Sequence, residues 1–395
     1  MSHFFPVGHN VPPHVVLLGN DPAWIADVKR QAEAIGLPLF EVTSDPEKVL
    51  ALLSGGFPPV SHLLLQPRCA GSLLPELLDL TLGQTSGVTL VLLGAQDPDQ
   101  IDQMPNAAVV VSHPTSDWLL KLLRNTDDSS NALAQDEGLT TADLNRALEN
   151  SRISARYQPV VRLDTAMPVY LEVLARLDHP KLGMLLPDLF VPKIEDAGLS
   201  WPFTQAVVNR AFADWSEGKL GSFGLGLAVN FPLDVLLIPD ALTWLERRRR
   251  EAGLPADRIS IELTESRPVR ELVRLRHATT TLRGMGYQLA IDDVGPELRD
   301  YNELLDMNFT ALKLDKNLVR ESPDSPVANE FLERTIALAR KANLTIVAEG
   351  VEDADIWRRM LRLGVDQAQG FLIARPLPVS AVALWHRNWC AKLDR

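Results

Sequence analysis

Gln288-Leu289-Ala290-Ile291-Asp292-Asp293 is the stretch on which the fold turns. Its apolar run is too short for an ordinary helix and stops at two adjacent carboxylates, as a buried strand does where its end meets solvent. The same theme recurs on either side. Gly-Leu-Gly-Leu-Ala-Val ends at Asn230, Ile-Ser-Ile at Glu262, Ala-Leu-Lys-Leu at Asp315 with Lys313 inside it, and Thr-Ile-Val-Ala at Glu349. Helix-period segments separate these runs. From Tyr157 onward about 240 residues of such βα units match the size of a (β/α)8 barrel, whose active sites gather at the C-terminal ends of the strands.

Upstream, five short apolar runs alternate with amphipathic stretches: His14 to Gly19, Pro38 to Val42, His62 to Gln66, Val88 to Leu93 and Ala107 to Val111. That alternation predicts a flavodoxin-like, doubly wound parallel sheet. Asn125 to Leu139 has a linker's composition, rich in Asp, Ser, Asn and Gln, and Thr140-Thr141 opens a lead-in helix. The expected division is a first domain over 1–124, a linker and helix start over 125–143, and the barrel over 144–395.

The bulk numbers narrow the function. The chain has 395 residues, 39 Lys and Arg against 51 Asp and Glu, and a net charge of -12, which argues against a protein that coats DNA through its phosphates. Two distant cysteines, Cys69 and Cys390, suggest neither a disulfide framework nor a zinc knuckle. With no signal-like N-terminus and no long apolar run, the expected setting is the cytoplasm, away from the membrane.

In a barrel, Glu172, Asn230, Glu262, Asp292, Asp293 and Glu349 converge at one mouth. Five carboxylates and an amide oxygen repel one another unless cations intervene, and oxygen ligands favour Mg²⁺ or Mn²⁺ over zinc. Two such ions can activate a water and stabilise a phosphodiester under in-line attack. Lys313, two residues before Asp315 on one strand, is placed to orient that water or stabilise the developing charge, and Arg176, four residues after Glu172, to clamp a phosphate. Taken singly, each has a plainer use. An acid at a strand end commonly caps the next helix, and Lys313 and Arg176 could be ion-pair partners. The run Arg247 to Arg250, between Glu246 and Glu251, reads as a solvated helix end.

Tyr157-Gln158-Pro159, Glu172-Val173-Leu174, Glu262-Leu263-Thr264-Glu265-Ser266, Asp292-Asp293, Lys313-Leu314-Asp315, Ala348-Glu349-Gly350-Val351-Glu352 and Gln369-Gly370-Phe371 follow in order. Over about Leu144 to Pro378 this resembles the EAL family of cyclic di-GMP phosphodiesterases. The resemblance implies that Glu172, Asn230, Glu262 and Asp292 hold a first metal, that Asp293 and Glu349 serve a second metal and the attacking water, and that Lys313 helps activate it. It gives Gln158, Arg176, Asp315 and Glu352 to nucleotide or metal-site contacts, Gln369 to the catalytic centre, and Glu265 to bracing the loop after Asp293. The implied reaction is hydrolysis of cyclic di-GMP to linear pGpG by a homodimer formed through the barrel.

Two departures stand out. Val173 replaces the usual alanine of the signature. After Asp293 the family's Phe-Gly-Thr-Gly-Tyr-Ser-Ser-Leu is here Val294-Gly295-Pro296-Glu297-Leu298-Arg299-Asp300-Tyr301, in a loop that couples metal site and dimer interface in the family. The rival readings are a weak or inactive cyclic di-GMP receptor or scaffold, and a pure interaction protein. The first domain resembles a receiver whose reactive points are altered: Gln66 stands for the phosphoacceptor Asp, Gly94 for a Ser or Thr, and His113 for a Lys, while Asn20-Asp21 keeps one clear acid. The expected role is docking an unidentified signalling protein or dimerising, and the alternative is a flavodoxin-like domain unrelated to receivers.

Overall fold

The computed structural model describes residues 14–34, 37, 39–53, 60–74, 77, 80–81, 88–93, 109–111, 139–180, 183–217, 220–263, 272–296 and 307–393. The chain divides into two compact units, Met1–Leu139 and Thr140–Arg395. Among the described residues no helix is long and apolar enough to cross a membrane.

In the first unit, β1 (His14–Leu18), β2 (Leu39–Thr43), β3 (His62–Leu65), β4 (Thr89–Leu93) and β5 (Val109–Val111) form a parallel sheet in the order β2-β1-β3-β4-β5. This is the flavodoxin-like order. All residues of β1 and β3 are buried, as a sheet covered on both faces requires. The helix Pro22–Ala34 adds Trp24, Val28 and Ala32 to a core with Val15, Leu17, Leu64, Val91 and Leu93. The predicted strands match to within a residue or two. Pro38, Gly94, Ala107, His113, the limit at Arg124 and linker residues 125–138 lie outside the described residues.

Gln66, just past β3, is buried and accepts hydrogen bonds at Oε1 from the backbone N–H groups of Asn20 (2.9 Å) and Asp21 (3.1 Å). The Asp21 carboxylate is occupied too, accepting from the N–H of Ala23 at 2.8 Å at the start of the following helix. An amide therefore occupies the C-terminal end of β3, and Asp21 beside it serves as a cap.

The second unit opens with the helix Thr141–Glu149, set by a reciprocal capping box between Thr140 and Asp143. Then come β6 (Ile153–Arg162), β7 (Pro168–His179), β8 (Gly183–Leu185), β9 (Gly226–Asn230), β10 (Ile259–Leu263), β11 (Gln288–Val294), β12 (Ala311–Leu314), β13 (Thr345–Ala348) and β14 (Gln367–Ala368). The strand order is β6-β14-β13-β12-β11-β10-β9-β7-β8, and an additional β6–β7 pairing closes eight of the strands into a barrel.

Within the closed ring one strand runs against the parallel expectation. β6 is antiparallel to both neighbours, β7 and β14. The reason is local: β6 and β7 are joined only by the short turn at residues 163–167, too short for the crossover that parallel strands need. β7 also outruns the barrel. It pairs with β9 only over Tyr170–Val173, while its far end pairs with β6 and β8. Leu227, Ile261, Leu289, Leu312 and Ile346, one from each successive parallel strand, are wholly buried in the core.

Candidate active site

Each parallel strand delivers its polar residue at the same end. Glu172 lies where β7 stops pairing with β9, Asn230 and Glu262 are register partners on β9 and β10, and Asp292 lies on β11. Lys313 lies on β12, while Glu349 and Gln369 directly follow β13 and β14. Backbone bonds extend the ladder past the strand ends. The N–H of Glu349 donates to Leu314 O at 3.2 Å, that of Gln369 to Ala348 O at 2.9 Å, and that of Val351 to Gln369 O at 3.0 Å. These bonds hold the mouth loops close to the sheet. Gly370 belongs to this arrangement, because a Cβ there would lie 2.2 Å from Val351 O.

Adjacent strand residues normally face opposite sides. Asp292 and Asp293 escape that rule because the β11–β12 register shifts between Ile291 and Val294, and Asp293 takes the left-handed conformation at φ 53°. Such a bulge re-aims a side chain and is a form of strain concentrated at functional sites. In consequence Asp292, Asp293 and Glu349 each bring a carboxylate oxygen within 4.8 Å of the others, close enough to share a cation.

At the centre is Lys313, 2% exposed. Its Nζ lies 2.7 Å from Glu349 Oε1, 2.8 Å from Asp292 Oδ1, 3.1 Å from Glu262 Oε2 and 3.4 Å from Glu172 Oε1. Burial alone would lower the lysine's pKa, but Asp292, Glu172, Glu262 and Glu349 outweigh it and hold it well above its ordinary value. One ammonium cannot neutralise five acids, and the acids respond unequally. Burial and carboxylate neighbours push Glu262 well up, Glu349 to about 8 and Asp293 to about 6. Glu172 instead falls below its ordinary value, since Lys313 and hydrogen bonds from Gln369 and Asn230 overcome its burial. Positive charge brought to the cage would pull these carboxyls back down.

A second layer positions Glu172. Gln369 Nε2 donates to its Oε2 and, at 3.0 Å, to Gln158 Oε1, while Gln158 Nε2 donates to Ala374 O at 3.1 Å. Gln158 is also the register partner of Glu172 across β6 and β7. Next to it the buried Tyr157 hydroxyl donates to Asp214 Oδ2 at 2.6 Å, and Arg210 pairs with the same carboxylate. The sequence reading missed this bridge. Its signal was present: Asp214 falls on the helix face that buries Val207, Val208 and Ala211.

The residues are suited to a divalent metal. All are hard oxygen donors, and the buried oxygens Asp292 Oδ1 and Gln369 Oε1 accept no aligned hydrogen bond. The other predicted residues are not among the four carboxylates paired with Lys313, although the charge of Asp315 helps to raise Asp293. The carboxylate of Asp315 accepts from the N–H groups of Asn317 (2.9 Å) and Leu318 (3.2 Å), capping the helix Lys316–Glu321, because the chain leaves the strand at Leu314. Arg176, buried on β7, donates to its neighbour's carbonyl, Ala175 O, at 2.8 Å. Glu352 is exposed at the rim. Glu265 and loop residues 297–301 lie outside the described residues. The run Arg247 to Arg250 is tied into the surface through Glu246 and Glu251.

An EAL domain is matched over residues 141–376, and the chain belongs to that family. It is 28% identical over 291 residues to cyclic di-GMP phosphodiesterase PA2567 of Pseudomonas aeruginosa, an alignment covering 69% of this chain and 49% of that protein. To cyclic di-GMP phosphodiesterase RocR of the same organism it is 32% identical over 241 residues, covering 60% of this chain and 61% of the relative. The chain thus spans about half to three fifths of the length of these two relatives. Among solved structures, the PaMucR phosphodiesterase in its c-di-GMP complex superposes with a TM-score of 0.57 at 28% identity, covering 60% of this chain and 97% of that one.

Proposed function

We propose that the barrel hydrolyses cyclic di-GMP to linear pGpG with Mg²⁺ or Mn²⁺. The observation that carries this reading is the convergence of Glu172, Glu262, Asp292 and Glu349 on Lys313, with Asp293 turned in beside them. Glu172, Asn230, Glu262 and Asp292 would hold one cation, and Asp293 with Glu349 a second. When bound, such cations lower the pKa of water and offset charge building on the phosphoryl oxygens. Glu349 takes the proton of the attacking water. Lys313 donates to the non-bridging oxygen that gains charge. The water oxygen bonds to phosphorus, the P–O3′ bond breaks, and the 3′ oxygen leaves with a proton from solvent, which gives a linear product ending in a 5′ phosphate. Gln369 and Gln158 keep the Glu172 carboxylate turned inward throughout.

The names of the two curated relatives support the substrate, as does the nucleotide in the structural neighbour. The reading extends to a cytoplasmic homodimer formed through the barrel, with the first unit docking a signalling protein. The test is turnover of cyclic di-GMP by the purified chain with Mg²⁺ or Mn²⁺ beside Glu172→Ala, with product separation and a binding titration. Accumulation of pGpG that vanishes in the variant supports a hydrolase. Tight binding without product makes the protein a receptor and sinks the reading.

A further inference from the structure

On the outer face of β6 lies a buried acid that takes no part in the chemistry above. Asp214, on the helix Ser200–Ser216, is 2% exposed. Its Oδ2 accepts from the Tyr157 hydroxyl at 2.6 Å and from Arg210 Nε at 3.1 Å, and Arg210 Nη2 pairs with its Oδ1. Burial and the Asp214 charge hold the Tyr157 hydroxyl well above its ordinary pKa, so it remains a donor. Apolar packing joins a helix to a strand at least as well as a buried charge does, so this arrangement is better suited to setting geometry than to adding stability.

The backbone around Tyr157 shows what the bond fixes. Tyr157 and Gln158 are neighbours on one strand, so while Tyr157 faces the helix, Gln158 faces the cage. There Gln158 accepts from Gln369 and donates to Ala374 O, and Gln369 in turn holds the Glu172 carboxylate. On the side away from β7, β6 joins the ring at Val161 and Arg162, and again at Tyr157, which exchanges two backbone bonds with Leu377 at 2.8 and 2.9 Å. Pro159, between these points, has no N–H to give. The orientation of Gln158 therefore depends on Tyr157, and that of Tyr157 on a directional bond to Asp214.

We infer that Asp214, acting through Tyr157, is a positioning residue for the metal cage: it sets the rotation of β6 that brings Gln158 against Gln369 and so aims Glu172. This rests on the proposed metal-dependent reading, and the experiment separates the two. Mn²⁺ affinity of the full chain is measured by calorimetric titration, beside urea unfolding and hydrolysis of cyclic di-GMP, for wild type, Tyr157→Phe, Asp214→Ala, Asp214→Asn and Leu282→Ala. Leu282 serves as the destabilised control, because it is buried and its carbonyl accepts from the Tyr287 N–H just ahead of β11, at the end of that strand away from the mouth. Tyr157→Phe and Asp214→Ala should lower Mn²⁺ affinity about 10-fold, the low end for groups that orient a ligand through its partners. Asp214→Asn still offers Tyr157 an acceptor and should recover most of that loss. Leu282→Ala should lose stability and keep its affinity. Tyr157→Phe removes a single hydroxyl, so it carries the test even where Asp214→Ala fails to fold. Wild-type affinity in Tyr157→Phe, or an equal loss in Leu282→Ala, overturns the inference whether or not wild type hydrolyses the dinucleotide. If wild type binds Mn²⁺ without turnover and the variants show the expected loss, the inference stands and the hydrolase reading falls. A wild type that binds no Mn²⁺ removes both.

Discussion

Lowering the pH from 8 to 6 should weaken divalent-metal binding far more than ordinary carboxylates allow. A ligand carboxylate must be ionised, and burial with neighbouring charge raises Glu349 to about 8 in the metal-free cage. It is half protonated at pH 8, whereas at pH 6 protonated molecules outnumber ionised ones by about 100 to 1, so affinity falls about 50-fold from this residue alone. Asp293, raised to about 6, adds about a further factor of 2. A carboxylate at its ordinary value would change almost nothing over this range. The sign for stability runs the other way. Protonation of Glu349 supports the metal-free fold fully below about 4.5, and that support is lost as the pH rises through about 8. Calorimetric titration of Mn²⁺ at pH 6, 7 and 8 in buffers of different ionisation enthalpy reads both affinity and proton release. Affinity independent of pH with no proton released would refute the argument.

Three further outcomes follow from named contacts. Lys313→Met leaves the buried carboxylates without their ammonium, so metal-free protein should lose about 3–5 kcal/mol in urea unfolding, and saturating Mn²⁺ should narrow the gap; equal losses with and without metal count against this account. Tyr157→Phe removes a buried donor to a carboxylate and should cost about 1.5–3 kcal/mol in the same assay, and an unchanged midpoint would mean that the bridge to Asp214 carries no net stability. Acetyl phosphate should leave no stable phosphate on residues 1–124, since the Gln66 amide cannot form an acyl phosphate; radiolabel retained there would overturn the assignment.

The strand ends were legible because the barrel interior demands continuous apolar runs, so each run stops where solvent and chemistry begin. Asn230, Glu262, Asp292 and Glu349 all lie where that logic puts them. It failed where the backbone departs from a regular strand. Nothing in Ile291-Asp292-Asp293-Val294 announces a register shift that turns neighbouring acids to one side. Asp315 shares its strand's alternation with Lys313 in the sequence, but the strand ends one residue earlier and the acid caps a helix there while its charge still bears on Asp293. The reversed direction of β6 was hidden because alternation and burial read alike in either direction. Arg375 was passed over because its contact with the Phe371 ring is spatial.

The antiparallel β6 has a consequence for how the protein is made. Its partners are Gln367 and Ala368 on β14, with Leu377 bridging to Tyr157, so the first strand of the barrel waits on nearly the last. The sheet cannot close on the ribosome until a little more than 200 further residues have been synthesised, and loop closure over that span makes ring formation a late, slow event. Until then the edge of β6 that meets β14 stays unpaired, although β7 has already met β8 and β9. The first unit, complete in sequence long before, is free to fold ahead of it, and shortening the chain before Leu377 should abolish the closed barrel and spare the upstream sheet.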